Sequence, residues 1–381
     1  MKKKNNLKQL IRRAFLVLVF LVGSLIATYP FYINALNNFL DEERMTYQLK
    51  MDKKKELELA EKRQANQVLA KSGFNAGGDP PFNETINDGK SEAYYKEHLI
   101  GSVSIPAIKV DIPLYDLTNN YLLSRGATLL SGTSYPTGGS NTHTVISAHS
   151  GLPERKLFTD LEEVKLKDIF VLSVYGKKLA YKVDKIEVVK PEETQHLKLE
   201  VGRDLATLLT CTPYTINSHR LLVTGHRIPY TQAVSNQVKA SKELRNYQNL
   251  AILVGVVLIV GLAFLVLIKA VKAYLLANRH FDLSFVRVND SGERVSGASY
   301  QLFTKSGKRP LMRDGKELVA TSDENGVVCI EDLPGKFYIL QELSPNAAIK
   351  LKAGVKKCRQ KQMKLYLNKV DQRYFEQPLE G

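Results

Sequence analysis

The stretch ATLLTCTPYTINSHRLLVTGHRI, residues 206–228, decides the fold, because it contains two runs of β-forming residues separated by a polar turn. The first run ends at Cys211, and the second begins at Arg220. If the two runs pair as neighbouring antiparallel strands, the thiol and the guanidinium come to the same end of the sheet. A lone cysteine in such a place is more often a buried core thiol than a nucleophile. The pattern by itself leaves both interpretations of Cys211 open.

Similar short β-forming runs fill residues 96–232 and are bounded by Gly, Pro, Asn and Asp. They include GSVSIPAIKVDIPLY, HTVISAH and DIFVLSVYGKKLAYKVDKIEVV, and the segment VYGKKLAYKV is typical of a β-hairpin. Several strands at this spacing predict a mainly β domain that folds as a barrel or a sandwich.

Two apolar segments predict membrane-spanning helices on either side of this domain. Residues 14–33 are 20 uncharged residues, and residues 250–268 are 19 uncharged and mostly aliphatic residues. A bilayer core about 30 Å thick needs roughly 20 helical residues, so we expect transmembrane helices at 14–33 and 250–276. A cleaved signal peptide is the alternative for the first segment.

The net charge of +15 is explained more simply by membrane topology than by a nucleic-acid partner. Residues 1–13 contain six basic residues and no acid directly before the first apolar segment, which indicates a cytoplasmic N-terminus. The region between the two spans is then outside the cell membrane, and residues 280–381 return to the cytoplasm. Lys239, Lys242 and Arg245 precede the second span and favour the opposite orientation.

Three further segments complete the predicted organisation. Residues 34–95 form a charged helical stalk followed by a loop, because Gly77, Gly78, Pro80 and Pro81 break any helix there. Residues 233–249 are a linker. Residues 280–381 form a small β-sandwich, since their β-forming runs alternate and are interrupted by NDSGE, DEN and LPGK.

A cysteine nucleophile needs a partner that promotes its thiolate and a donor for the oxyanion that follows. Arg220 is the candidate donor. His149 closes the run HTVISAH and is the candidate partner, but the spacing fits His143, His219 and His226 equally well. The other cysteines, Cys329 and Cys358, form neither a disulfide framework nor a zinc motif with Cys211, and Cys329 in GVVCI is expected to be a core residue.

Residues 207–211, TLLTC, match the T-L-x-T-C signature of sortases, and the stretches NTHTVISAHSGLPERKLFTDL and CTPYTINSHRLLVTGHR resemble the class C, pilus-building branch. This resemblance implies a sortase-type closed β-barrel in residues 96–232. It also implies a membrane-bound cysteine transpeptidase that needs no metal or organic cofactor. His149, Cys211 and Arg220 fall on the family's catalytic positions.

The same resemblance implies the substrates. The enzyme is expected to cleave a Leu-Pro-x-Thr-Gly-type sorting signal between Thr and Gly and to join the acyl group to a Lys of the next pilin. Its partners are then pilin subunits and the lipid bilayer. Two alternatives are a sortase that anchors single proteins to a peptidoglycan-linked acceptor and an inactive scaffold that binds pilins.

Class C sortases resemble one another in a lid loop that carries Asp-Pro-aromatic, with the Asp at the catalytic Arg and the ring over the Cys. Asp79 and Phe82 correspond to these two residues, although Pro81 is an insertion relative to the pattern.

The C-terminal region resembles the collagen-adhesin B-type domain of Gram-positive adhesins and pilins, on FVRVNDSGERVSGASYQLF and TSDENGVVCIEDLPGKFYILQEL. Many such domains form an internal Lys–Asn isopeptide bond assisted by a Glu. Glu342 and Asn368 match the Glu and the amide, but Arg287 occupies the Lys position, and a guanidinium is a poor nucleophile. We therefore expect no internal isopeptide bond. The basic run at residues 350–364 is either a contact for anionic lipids or a solvated edge strand and loop.

Overall fold

The computed structural model describes residues 2–49, 55–72, 90–214, 216–343 and 349–377. The chain forms two compact units, one made of Leu25–Leu258 and the other of Met1–Ser24 with Ile259–Gly381.

Five α-helices are described: α1 (Lys2–Leu49), α2 (Lys55–Ser72), α3 (Glu92–His98), α4 (Asn120–Leu123) and α5 (Gln232–Ala277). Within the described residues, α1 and α5 are the two helices that are long and apolar enough to cross a membrane. They contain the predicted spans at 14–33 and 250–276, where the large apolar side chains of both helices are mostly exposed.

The segment predicted to be a linker, residues 233–249, is helical and forms the first part of α5. Its helix packs on the barrel because Val234 and Val238 lie one turn apart and meet Val171 and Ala180. Likewise α1 continues without interruption from the first span into residues 34–49, so the stalk begins as the outer half of the same helix.

The first unit contains a closed eight-stranded barrel, which confirms the predicted sortase-type, mainly β fold. The strands are β1 (Leu99–Ile105), β2 (Val110–Tyr115), β3 (Ala127–Leu129), β4 (Thr142–Ser147), β5 (Ile169–Val174), β6 (Lys177–Val189), β7 (Asp204–Thr212) and β8 (His219–Ile228). They close in the order β1-β2-β3-β4-β7-β8-β6-β5. The predicted hairpin is confirmed as β5–β6, with positive φ at Tyr175 (46°) and Gly176 (78°), as a tight turn with the twist of the strands requires.

Two apolar clusters lie on the two faces of the barrel wall. The main core fills the interior and includes the stacked rings of Phe170 and Tyr181, whose centroids are 5.4 Å apart. A second cluster contains Leu209, Cys211 and Leu222, whereas their neighbour Leu208 belongs to the main core. Because side chains alternate along a strand, Leu209 and Cys211 face away from the interior.

The second unit contains β9 (His280–Arg287), β10 (Ser299–Thr304), β11 (Met312–Arg313), β12 (Lys316–Glu317), β13 (Val319–Thr321), β14 (Val327–Pro334), β15 (Tyr338–Glu342), β16 (Lys350–Gly354), β17 (Lys364–Tyr366) and β18 (Phe375–Glu376). They form sheets of order β13-β10-β15-β16-β17, β14-β9-β18 and β11-β12. Phe285 of one sheet and Tyr300 of another share a single core, as in a β-sandwich. The basic run starts on β16, which is paired on both sides and is therefore not an edge strand.

The prediction that Cys329 is a core residue is wrong. Cys329 is exposed, whereas Val328 and Ile330 on either side of it are buried. The strand alternates with period two, so two buried neighbours place Cys329 on the solvent face. Cys358 is half-buried.

The outer half of α1 holds the segment that follows β4 through side-chain contacts that include two hydrogen bonds and a buried ion pair. Asn34 Oδ1 accepts from Lys156 N at 2.9 Å, and Asn37 Nδ2 donates to Glu154 O at 2.9 Å. Arg155, which lies between Glu154 and Lys156 in the sequence, forms an ion pair with Asp41, and both residues are buried. A buried charge that loses its partner is strongly destabilising, so this pair is the critical contact between helix and barrel.

We expect Asp41→Ala to destabilise the barrel unit by about 3 to 5 kcal/mol, because Arg155 would remain buried without its carboxylate. The thermal unfolding midpoint of the full chain in detergent should fall by roughly 10 °C. Glu43→Ala is the matched control, since Glu43 is an exposed acid on the same helix. Equal midpoints for the two variants would show that the ion pair is unimportant.

Candidate active site

Cys211 and Arg220 are direct partners across two neighbouring antiparallel strands. The register of β7 and β8 pairs Thr210 with Leu221, Cys211 with Arg220 and Thr212 with His219. Residues directly opposite one another in an antiparallel pair carry their side chains on the same face at short Cβ separation. The structure therefore confirms the expectation that both side chains reach the same end of the sheet.

The thiol lies on the outward face of the barrel wall and is buried there. Cys211 is 3% exposed and Arg220 is 4% exposed. The connection after β6 covers this face, and a small recess between the connection and the wall is lined by Leu197, Leu209, Arg220 and Leu222 among others. The thiol is therefore shielded from bulk water, and Arg220 is the member of the pair that lines the recess.

His149 reaches the same end of the barrel by a different route. Strand β4 runs parallel to β7, with Ser147 opposite Leu209. The chain then continues alongside β7, since Thr210 Oγ1 donates to Ala148 O at 2.8 Å and Ser150 Oγ donates to Cys211 O at 2.9 Å. His149 lies between these two contacts, two residues beyond the end of β4, and thus alongside Cys211 of β7.

The register separates His149 from the other three candidate histidines. His143 and His226 are both opposite Leu205, at the far end of β7. His219 is opposite Thr212 at the near end, but alternation directs it to the other face from Cys211 and Arg220. Of the four, His149 is the histidine that the geometry favours.

The far histidines also have structural partners. The ring of His143 is within 2.8 Å of Lys198 O and 2.7 Å of Thr207 Oγ1, and it is buried. His226 Nδ1 is 2.9 Å from Asp184 Oδ2. These contacts account for both rings without any catalytic role.

Burial lowers the pKa of His149 to about 4, well below its ordinary value. The imidazole is therefore neutral at pH 7 and able to accept a proton. Arg220 is a permanent cation at this end of the barrel, and its Nη1 donates to Asn217 O at 3.0 Å and to His219 O at 3.1 Å. The site thus combines a thiol, a neutral base and a fixed positive charge, which are the groups that acyl transfer through a thioester requires.

Three neighbouring residues contribute to the site, and sequence reasoning did not identify them. The hydroxyl of Thr212 donates to the carboxylate of Glu162, which ties the end of β7 to the segment after His149. The ring of Tyr214 packs on Gly151 so closely that a Cβ there would lie 2.9 Å from it. Gly151 is the sequence signal for this contact, because the Tyr214 ring leaves no space for a side chain at position 151.

The proposed lid residues Asp79 and Phe82, together with Pro81, lie outside the described residues. Among the residues that the structure describes, no group of three or more His, Cys, Asp and Glu side chains is arranged to hold a metal ion.

Comparisons with known proteins relate this geometry to one family. The model of the sortase domain matches residues 103–228. The sortase A of Bacillus anthracis is 26% identical over 220 residues, which cover 57% of this chain and 95% of that protein.

Two solved structures are more similar in sequence. A Streptococcus pneumoniae sortase C is 45% identical, with 51% of this chain and 98% of that chain covered and a TM-score of 0.43. A pilus-related sortase C of Group B Streptococcus is 40% identical, with 50% and 97% covered and a TM-score of 0.42.

The lowered pKa of His149 predicts a specific loss of stability in acid. The unfolded chain binds this proton at its ordinary pKa near 6.5, whereas the folded site binds it only near pH 4. Stability is therefore complete above about pH 6.5 and falls as the pH drops towards 4. The thermal midpoint of the wild type should fall further between pH 7.5 and 4.5 than that of His149→Gln.

His226→Gln is the control for this comparison. The His226 ring contacts Asp184 and lies opposite Leu205, at the other end of β7 from Cys211, so replacing it should leave the acid sensitivity of the wild type in place. Equal acid-induced losses in the wild type and His149→Gln would show that burial does not hold the ring neutral.

Proposed function

Since this chain belongs to the sortase family, whose members are cysteine transpeptidases, we propose that it polymerises pilins by joining a cleaved sorting signal to a Lys of the next subunit. The pairing of Cys211 with Arg220 beside His149 is the observation that carries the proposal. The identity of 45% to a sortase C studied for its pilin substrate specificity, and of 40% to a pilus-related sortase C, supports pilins as the substrate class.

In the first half of the reaction, Cys211 attacks the Thr carbonyl of a Leu-Pro-x-Thr-Gly-type signal. Neutral His149 takes the thiol proton as the S–C bond forms, and Arg220 donates hydrogen bonds to the oxyanion. When the tetrahedral intermediate collapses, the C–N bond to Gly breaks and the imidazolium gives its proton to the departing amine. The products are a thioester on Cys211 and the released C-terminal peptide.

In the second half, the neutral amine of a pilin Lys attacks the thioester carbonyl. His149 accepts a proton from the attacking nitrogen, the C–S bond breaks, and the Cys211 sulfur recovers that proton. The product is an isopeptide bond between two subunits. No metal or organic cofactor takes part in either half, because the thiol, the imidazole and the guanidinium balance every proton and charge.

For the membrane arrangement, we infer that α1 and α5 both cross the bilayer and that the catalytic barrel lies outside the cell. The basic residues 1–13 then remain in the cytoplasm, in agreement with the positive-inside tendency. Residues 280–381 follow α5 and lie on the cytoplasmic side in this arrangement.

The C-terminal sandwich is proposed to be a collagen-adhesin B-type domain without an internal isopeptide bond. Arg287 Nε lies 3.4 Å from Glu342 Oε1, so an ion pair occupies the position at which the resemblance places a reactive Lys. The amide oxygen of Asn368 accepts from the backbone N–H groups of Val370 and Asp371, and Asn368 is exposed. A guanidinium stays protonated at neutral pH and does not attack an amide.

The identity of the nucleophile can be tested with the purified full chain in detergent, a sorting-signal peptide and a pilin acceptor. Cys211→Ala should form no acyl-enzyme, because it removes the proposed nucleophile. Cys329→Ala, which removes an exposed thiol, should react like the wild type. Mass spectrometry of the intact protein measures the thioester. An acyl-enzyme on Cys211→Ala would refute the assignment.

The role of Arg220 can be tested in the same assay. Arg220→Lys keeps the charge but loses the fork of donors, so kcat should fall by about 10²-fold or more with little change in KM.

Mass spectrometry of the product of each reaction identifies the acceptor. Joining to a peptidoglycan amine in preference to the pilin Lys would favour a wall-anchoring sortase over a polymerase.

A lid formed by Asp79 and Phe82 is proposed from the resemblance alone. If these residues cover the site, Asp79→Ala and Phe82→Ala should each increase the rate at which a small thiol reagent labels Cys211. Labelling should be followed in a background without Cys329 and Cys358. Unchanged rates in both variants would count against a lid.

A further inference from the structure

A cleft of about 500 Å³ lies between α1, α5 and the outside of the barrel, within the unit Leu25–Leu258. We call it the helix cleft. Its walls are one face of α1 and one face of α5, and its floor is the connection between β1 and β2 together with the segment after His149. The proposed transpeptidase mechanism makes no use of this cleft.

The two helices give the cleft one apolar end and one polar end. Phe31 and Ile252 lie within the apolar segments of α1 and α5 and line the end nearest the predicted bilayer. About one helical turn further towards the barrel, α1 presents Asn34 and α5 presents Gln248 and Asn249. A ligand that fits both ends has a hydrocarbon part and a polar part in the same order.

Two residues that line the polar end each carry a buried donor without an acceptor. Arg245 Nε and Asn249 Nδ2 have no hydrogen-bond partner among the described residues, although Arg245 and Asn249 are only 6% and 5% exposed. The other guanidinium nitrogens of Arg245 are occupied by Asp111, through its backbone oxygen at 2.6 Å and its carboxylate at 3.4 Å. Buried polar groups in native proteins are nearly always paired, so these donors indicate a missing acceptor.

The charges of the cleft are compatible with an anionic acceptor. Two of its acidic groups are already engaged, Asp111 by Arg245 and Lys242, and Asp160 by Lys156. Glu163 also lines the cleft, and Lys109 lies opposite on the floor. The two unpaired polar groups, Arg245 Nε and Asn249 Nδ2, are both donors, which suit phosphate and ester oxygens.

We propose that the helix cleft binds a phospholipid, with the phosphodiester oxygens accepting from Arg245 Nε and Asn249 Nδ2 and the upper acyl chain between Phe31 and Ile252. The proposal rests on α1 and α5 spanning the bilayer. Gly151 and Tyr214 also line the cleft, so a bound lipid contacts the loops that follow His149 and Cys211.

The test uses the full chain, stripped of lipid in a neutral detergent and titrated with phosphatidylglycerol. Native mass spectrometry counts the lipids that remain bound. Asn249→Leu removes one donor at nearly constant size, and because that donor is unpaired without ligand, the variant should fold normally. We expect its affinity for the first lipid to be about 10-fold weaker, as for the loss of a hydrogen bond to a charged group.

Two further variants make the outcome specific. Gln248→Trp fills the cleft without removing a described hydrogen bond and should abolish the first binding event. Gln237→Leu is the control for Asn249→Leu, because it also replaces a side-chain amide by Leu, at an exposed position of α5 outside the cleft. It should bind lipid like the wild type.

Soluble glycerol phosphate distinguishes a lipid from a free phosphate ester, because it has the same anion without the chain. It should not displace the lipid at equal concentration. Displacement at equal concentration, or unchanged lipid binding in both cleft variants, would overturn the proposal. A hydrophobic peptide is titrated in the same way. If the cleft variants lose binding to this peptide but still bind the lipid, the cleft is a peptide site and the proposal is overturned as well. Transpeptidation is not the readout, so the result does not depend on the proposed enzymatic activity.

Discussion

The direct pairing of Cys211 with Arg220 across β7 and β8 is the constraint on which the rest of the site depends. In an antiparallel pair a shift of one residue reverses the face of every side chain, so the register alone determines whether thiol and guanidinium meet. The closed barrel fixes this register from both sides, because β7 is also paired with β4 and β8 with β6. The polar turn between the strands is long enough to leave both residues at the barrel's end without moving them from the sheet.

The helices extend this arrangement beyond the barrel. A chain that leaves a bilayer as a helix satisfies its own backbone hydrogen bonds, so α1 and α5 can continue from the apolar segments to the barrel without a break. Each then uses its outer half for packing: α1 through Asp41 and Arg155, and α5 through Arg245 and Asp111. The Arg155 contact lies in the segment that follows His149. The same helix that is apolar enough to cross a membrane therefore also supports the segment that follows His149, one of the proposed catalytic residues.

The local part of this organisation could be predicted from sequence, and the non-local part could not. Alternation and turn residues predict the β5–β6 hairpin and the strands that carry Cys211 and Arg220, because these depend on neighbours along the chain. The place of His149 depends on the parallel pairing of β4 with β7, whose partners are some sixty residues apart, and four histidines fitted the local pattern equally. Cys329 was misplaced for a related reason: an apolar run marks a strand but does not say which of its faces is buried. The sequence predicts residues 233–249 as a linker, and the packing of this segment on the barrel depends on two valines one turn apart, whose contact partners lie far away along the chain.

In the proposed mechanism, the burial of His149 determines which group begins the chemistry. An imidazole with a pKa near 4 is neutral at physiological pH, so it does not arrive at the thiol as a ready-made proton donor. The proton that the leaving amine requires must then come from Cys211 itself, by way of the ring, during the attack. In such a proton relay His149 is a cation only transiently, whereas the Arg220 guanidinium is charged throughout. The positive charge of the site therefore rises only while a negative oxyanion is present to offset it. The low polarity that makes the resting imidazolium unfavourable therefore also strengthens the interaction that stabilises the transition state.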